Sequence, residues 1–245
     1  MNFTKHIPNT ITCCNLISGC IATVCALYGD TELALLWIIT GAAFDFFDGM
    51  TARLLHVSSP IGKELDSLAD DITFGVAPSA IIFAELAVIN YPAYLEPLRP
   101  VLPYLAFIMA AFSALRLAKF NLDERQAMGF IGLPTPANAL FWGSLITGGS
   151  HVIENDGYST WMVYILLVTM FLSCWLLICE VPMFALKFKQ WGWKGNELRY
   201  TFIISSAMLL IISAILGYGV LGIAAVIAWY ILLSVTQRSN SRIVN

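Results

Sequence analysis

The sequence predicts an all-α protein, a polytopic membrane bundle of about eight transmembrane helices with both termini in the cytoplasm. Three observations predict it. Of 245 residues, 58% are hydrophobic and 12% charged, about half the charged fraction of a soluble domain, and the mean hydropathy is +0.76. The apolar residues gather into runs near the ~20 residues that a helix needs to cross a hydrocarbon core. The basic residues then fall on one side when alternate loops are assigned to opposite faces.

Taken in order, the runs are 11–28, 33–55, 65–89, 101–121, 136–153, 161–179, 200–216 and 220–236. The polar opening "MNFTKHIPNTIT" carries Pro8 where a helix can begin, so the first span is expected to be retained rather than cleaved as a signal peptide. Gly, Pro and charged residues separate the spans. The fifth, with "GSLITGGSH", is the least apolar, and the last two form a hairpin through "GYG". With this count, the side that carries both termini receives every Lys and Arg except Arg99. That asymmetry is the positive-inside pattern. A slip of one span would have scrambled it.

The six cysteines, Cys13, Cys14, Cys20, Cys25, Cys174 and Cys179, lie in apolar stretches. They read as small packing residues, because none has the spacing of a zinc site or a disulfide framework. Nothing resembles a nucleic-acid-binding surface, and no internal repeat stands out. The stretch "LKFKQWGWKGNELRY" is basic and aromatic, which suits a membrane interface.

The second and third spans break the apolar pattern. Across "FDFFDGMTARLLHVSSPIGKELDSLADDITFGVAPS", Asp45, Asp48, Gly49 and Ala52 stand at i, i+3, i+4 and i+7, one stripe of a helix. Gly62, Asp66 and Asp70 stand at i, i+4 and i+8, a second stripe. Antiparallel neighbouring helices set the stripes face to face at the cytoplasmic end. A charged side chain at the centre of a membrane helix costs about 2.5–3.5 kcal/mol on insertion scales, so such residues are read first as functional. Four carboxylates repel one another, and divalent cations relieve that repulsion. An all-carboxylate donor set suits Mg²⁺, Mn²⁺ or Ca²⁺ rather than zinc or copper. Two further readings stand beside metal-dependent chemistry: a proton or ion transporter, and a structural network paired with Arg53. Asp71 is rotated ~100° from Asp70 and is expected to face away from the shared stripe.

The pattern Asp45-x₂-Asp48-Gly49-x₂-Ala52-Arg53-x₈-Gly62-x₃-Asp66-x₃-Asp70 resembles the signature of the CDP-alcohol phosphatidyltransferases, with every motif position filled. The resemblance covers the first six spans. It implies a core of six membrane helices over 1–181, followed by a basic cytoplasmic loop and a helical hairpin over 182–245. It also implies an enzyme in a plasma or inner membrane whose site faces the cytoplasm. There a CDP-linked lipid gives its phosphatidyl group to an alcohol and CMP leaves. Under it, Asp45, Asp48, Asp66 and Asp70 hold two divalent cations, Mg²⁺ or Mn²⁺, and Asp70 doubles as general base. Gly49, Ala52, Arg53 and Gly62 line the nucleotide pocket, joined by Asn9 and Thr12 of "IPNTITCCNL", where Asn15 continues the same spacing.

Three other stretches resemble the serine-accepting branch of the family: "DSLADDITFGVAPS", "RLAKFN", and "GLPTPANA" with "EVPMFALK". That likeness implies CDP-diacylglycerol and L-serine as substrates. Arg116, Lys119 and Asn121 then become acceptor-binding residues. Lys119 stands where the branch usually has arginine, which keeps the charge and loses the bidentate fork. Glycerol phosphate or an inositol compound remains the alternative acceptor, and a cation-coupled transporter the alternative class. Members of the family often pair through membrane helices, so a homodimer is the expected assembly.

Overall fold

The computed structural model describes residues 6–57, 59–123, 130–153, 161–184, 192–193 and 195–243. Among them the chain folds into helices α1 (His6–Leu27), α2 (Thr31–Leu54), α3 (Pro60–Asp70), α4 (Ala77–Val88), α5 (Phe107–Leu122), α6 (Thr135–Ile153), α7 (Met162–Ile178), α8 (Glu197–Ile215) and α9 (Leu221–Ile243). A π-helical turn, Asp71–Val76, joins α3 to α4 in one continuous rod, and a 3₁₀ turn, Leu102–Ala106, leads into α5. Counted as rods, the described helices number eight, as many as the expected spans. Five of them are long and apolar enough to cross a membrane, and Met162–Ile178 and Leu221–Thr236 are shorter apolar helices. Glu124, Arg125 and most of the basic stretch 185–194 lie outside the described residues.

The burial pattern is that of a membrane protein. Large apolar side chains such as Ile17, Leu68, Val168, Phe171 and Ile211 face outward, while Thr12, Asn15, Ser18, Asp48, Thr73, Ser113, Arg116 and Asn138 are buried. Water would reverse that arrangement. Lipid favours it, because buried polar groups find partners inside the bundle. The apolar core runs through Ile38, Phe74, Ile81, Met109, Trp142 and Met170. Trp142 also donates from its indole nitrogen to Ser173 Oγ at 3.0 Å, tying α6 to α7.

Local chemistry sets the helix ends that matter for the site. Asp30 caps α2, accepting from Leu33 N at 2.9 Å, and Ser59 caps α3, accepting from Gly62 N at 3.0 Å with Pro60 in the first turn. The third span therefore starts at 60 rather than 65, and α3 carries Gly62 inside its first turn. Pro78 would clash with the carbonyl four residues back in a regular helix. The chain absorbs this by widening one turn, so that Ala77 N bonds to Ile72 O, five residues back.

Close approach of α1, α2 and this π turn depends on glycine. A Cβ on Gly19 would lie 2.7 Å from Thr73 Cα and 2.8 Å from Thr73 N, and one on Gly41 would lie 2.5 Å from Thr73 Cγ2. Thr73 in turn donates to Asn15 O at 3.0 Å. One feature had no signal in the sequence. Phe130–Ile131 (β1) and Pro182–Met183 (β2) pair as a two-residue antiparallel ribbon, which pins the segment after α7 to the segment before α6.

Candidate active site

The second and third rods present their aspartates to each other as the spacing requires. One carboxylate oxygen from each of Asp45, Asp48 and Asp66 lies within 4.8 Å of the others. Asp70, one turn beyond Asp66, lies against Asp45 within hydrogen-bonding reach. Asp71 starts the π turn and faces the other way, since its Oδ1 lies 2.7 Å from the position a Cβ on Gly75 would take, with Ser113 beyond. It is separate from the cluster.

Helix α1 holds these carboxylates in place. Thr12 Oγ1 donates to Asp48 Oδ2 at 2.6 Å, and Asn15 Nδ2 donates to Asp70 Oδ1 at 3.1 Å. Thr12 and Asn15 are both buried. Their i, i+3 spacing sets one aspartate from α2 and one from α3 against the same face of α1. Asn15 thus contacts Asp70 directly, a role the sequence reading did not assign it. Its spacing from Thr12 was the only available signal.

A pocket of about 260 Å³ opens beside the cluster. It is lined by Asn9, Thr12, Asp48, Gly49, Ala52, Gly62, Lys63 and Asp66, among others. Gly49 has nothing within 4 Å of where a Cβ would sit, so any side chain there would project into free space. At Gly62 the reason for glycine differs: a Cβ would meet Asn9 Oδ1 and Ser59 Oγ, each at 3.0 Å, so a bare backbone lets α3 approach α1. Arg53 is exposed and outside the lining. Its Nε donates to Gly49 O at 3.0 Å, back along its own helix. Lys63 is the cation that does line the pocket. Its Nζ also donates to Asn121 O at 3.1 Å. In the sequence it counted only toward the basic asymmetry.

The acceptor candidates separate into two places. Arg116 and Lys119 line a second pocket of about 400 Å³, with Asp123, Glu180 and the last residues of α7. Arg116 is 7% exposed. Its Nη1 donates to Thr135 Oγ1 at 3.4 Å. Asn121 lies outside that pocket; its Nδ2 donates to Ser67 Oγ at 2.8 Å, fastening α5 to α3.

The donor set fits hard divalent cations. It is carboxylate throughout, gathered from two facing helices, with the nearest polar neighbours on α1 donating hydrogen bonds to it. Such a cluster beside a cavity at one end of a bundle suits the binding of a diphosphate.

Comparison with known proteins extends this reading. A protein from Bacillus subtilis named CDP-diacylglycerol–serine O-phosphatidyltransferase is 41% identical over 132 residues, which are 54% of this chain and 70% of that protein. Proteins of the same name from Saccharomyces cerevisiae and Methanocaldococcus jannaschii are 36% and 35% identical, each over 61% of this chain. Those two matches span 55% and 62% of the relatives' own lengths. The family model for CDP-alcohol phosphatidyltransferases matches residues 5–175, which takes in the pocket-lining helices α1, α2 and α3 with the four aspartates, and Arg116. The match covers well over half of the sequence, and the chain belongs to the CDP-alcohol phosphatidyltransferase family.

Proposed function

We propose that this protein transfers the phosphatidyl group of CDP-diacylglycerol to the hydroxyl of L-serine, giving phosphatidylserine and CMP. The observation that carries the reading is the meeting of Asp45, Asp48, Asp66 and Asp70 beside a pocket, on the helices that the family model covers. The naming of the relatives after serine supports the choice of acceptor.

Asp45, Asp48, Asp66 and Asp70 hold two divalent cations, Mg²⁺ or Mn²⁺. When bound, these supply charge neutralisation and orientation for the diphosphate. The chain's own residues do the rest. Gly49, Ala52 and Gly62 leave room for the nucleotide, and Asn9, Thr12 and Lys63 offer it polar contacts. Asp70 takes the proton of the serine hydroxyl as its oxygen bonds to the phosphatidyl phosphorus. The bond from that phosphorus to the CMP oxygen then breaks and CMP leaves with the electron pair. A base within reach is needed because an alcohol is a weak nucleophile at neutral pH. Arg116 and Lys119 attract the serine carboxylate, while Asn121 holds α5 against α3.

The residue 1–181 core performs the chemistry, and the hairpin over 182–245 packs beside it. The site opens to the cytoplasm of a plasma or inner membrane, as the basic asymmetry favours, at the level of the donor's headgroup. Chelation tests the cation requirement: EDTA abolishes CMP release, and added Mg²⁺ or Mn²⁺ restores it. Release that persists in EDTA would contradict the assigned cation site.

A further inference from the structure

The second pocket carries charge of both signs. Arg116 and Lys119 come from the last turns of α5, with Asp123 at that helix's end. Glu180 comes from elsewhere, directly after the cap residue Cys179 that ends α7. Leu177, Ile178 and Cys179 line the pocket beside it, with Leu122 and Ile131 as its other apolar residues. Helix C-termini carry a partial negative charge from their last carbonyls, which favours a cation. Two cations and two carboxylates balance, so a phosphorylated, doubly negative acceptor gains little net attraction here. A zwitterion gains at both ends.

The fold fixes this arrangement. Gly132, at φ 75°, packs on the end of α7; a Cβ there would lie 2.7 Å from Leu177 O and 3.0 Å from Cys179 O. Gly132 N donates to Val181 O at 2.9 Å and Leu133 N to Leu176 O at 2.8 Å, bracketing Glu180 between two backbone anchors. On the other wall Arg116 is more than nine-tenths buried, and its Nε has no hydrogen-bond partner. A buried guanidinium N–H without an acceptor is costly unless a ligand supplies one.

We propose that this pocket is an α-amino-acid subsite in which Arg116 and Lys119 take the carboxylate and Glu180, with the carbonyl end of α7, takes the ammonium. The inference rests on the serine reading above and deepens it. It makes Glu180 the residue that separates an amino-acid acceptor from glycerol phosphate and from inositol.

The test uses the purified full chain with CDP-diacylglycerol and Mn²⁺, following CMP release. E180Q raises KM for L-serine about ten- to hundredfold, the range of one lost charge-assisted hydrogen bond, and leaves KM for CDP-diacylglycerol unchanged. E180D keeps the parent's serine KM. Inhibition by 3-hydroxypropanoate, which lacks the ammonium, is the same in parent and E180Q. An unchanged serine KM in E180Q overturns the assignment, and so does 3-hydroxypropanoate inhibition that weakens in parallel. These results leave the serine reaction itself standing. A parent protein that releases CMP with glycerol 3-phosphate and not with serine would instead remove both.

Discussion

Asn15 donates from Nδ2 to Asp70 Oδ1 at 3.1 Å, and this single contact orients the carboxylate proposed as the base. Asp70→Asn keeps the shape of that side chain and removes its capacity to accept a proton. We expect turnover to fall about 10²- to 10⁴-fold, the usual worth of a general base, while CDP-diacylglycerol binding measured on the same variant survives. Near-normal turnover would take Asp70 out of the base role. Asn15→Ala removes the orienting hydrogen bond and leaves Asp70 itself. Its kcat is expected to fall about tenfold, as for a lost hydrogen bond to a charged group, with donor affinity unchanged. An Asn15→Ala protein with parental kcat would reduce the contact to packing. The aspartates were legible in the sequence because i, i+3 and i, i+4 spacing is a property of one helix. The partnerships of Thr12 and Asn15 were not, since they depend on how α1 crosses two other helices. Arg53 and Lys63 make the same point from the other side. Lys63 directly follows Gly62 and Arg53 lies one helical turn after Gly49, and only side-chain direction decides that Lys63 lines the pocket while Arg53 folds back on Gly49 O.

At the scale of elements, the site is held by the meeting of α1, α2 and the π turn around Thr73. Gly19→Ala places a methyl within 2.7–2.8 Å of Thr73 backbone atoms, which backbone movement alone can relieve. Overpacking of this kind costs about 1–3 kcal/mol, so the variant is expected to lose detergent-solubilised thermal stability. It should also lose activity, because the same helices carry Asn15 and Asp70. Gly49→Ala is the control: its methyl meets nothing within 4 Å, so stability stays and only nucleotide binding weakens. Equal melting losses in both variants would deny the close approach at Thr73. Spans were legible because apolar runs and their punctuation are local. The π turn was half legible: Pro78 announces a disturbance, but packing decides whether the helix breaks, kinks or widens. The ribbon of β1 and β2 was invisible, since two-residue strands carry no alternation to read.

For the whole molecule, the buried polar seam and exposed apolar exterior follow from exchanging water for lipid, and the sequence displayed that exchange in its composition. Orientation comes from the distribution of basic residues. Green fluorescent protein fused after Asn245 is expected to fluoresce from the cytoplasmic side, and a dark fusion in intact, expressing cells would invert the topology. What unites the scales is that α1, α2, α3 and α5 bring one pocket, four carboxylates and a buried arginine to the same end of the bundle. The most direct measurement is CMP release by the purified protein from CDP-diacylglycerol with Mg²⁺ or Mn²⁺, offered L-serine, glycerol 3-phosphate, myo-inositol and its phosphate in parallel. The account predicts release with L-serine and little with the others. Release with another acceptor and none with serine would contradict the acceptor assignment, and no release with any, together with cation flux in vesicles, would contradict the phosphatidyltransferase reaction itself.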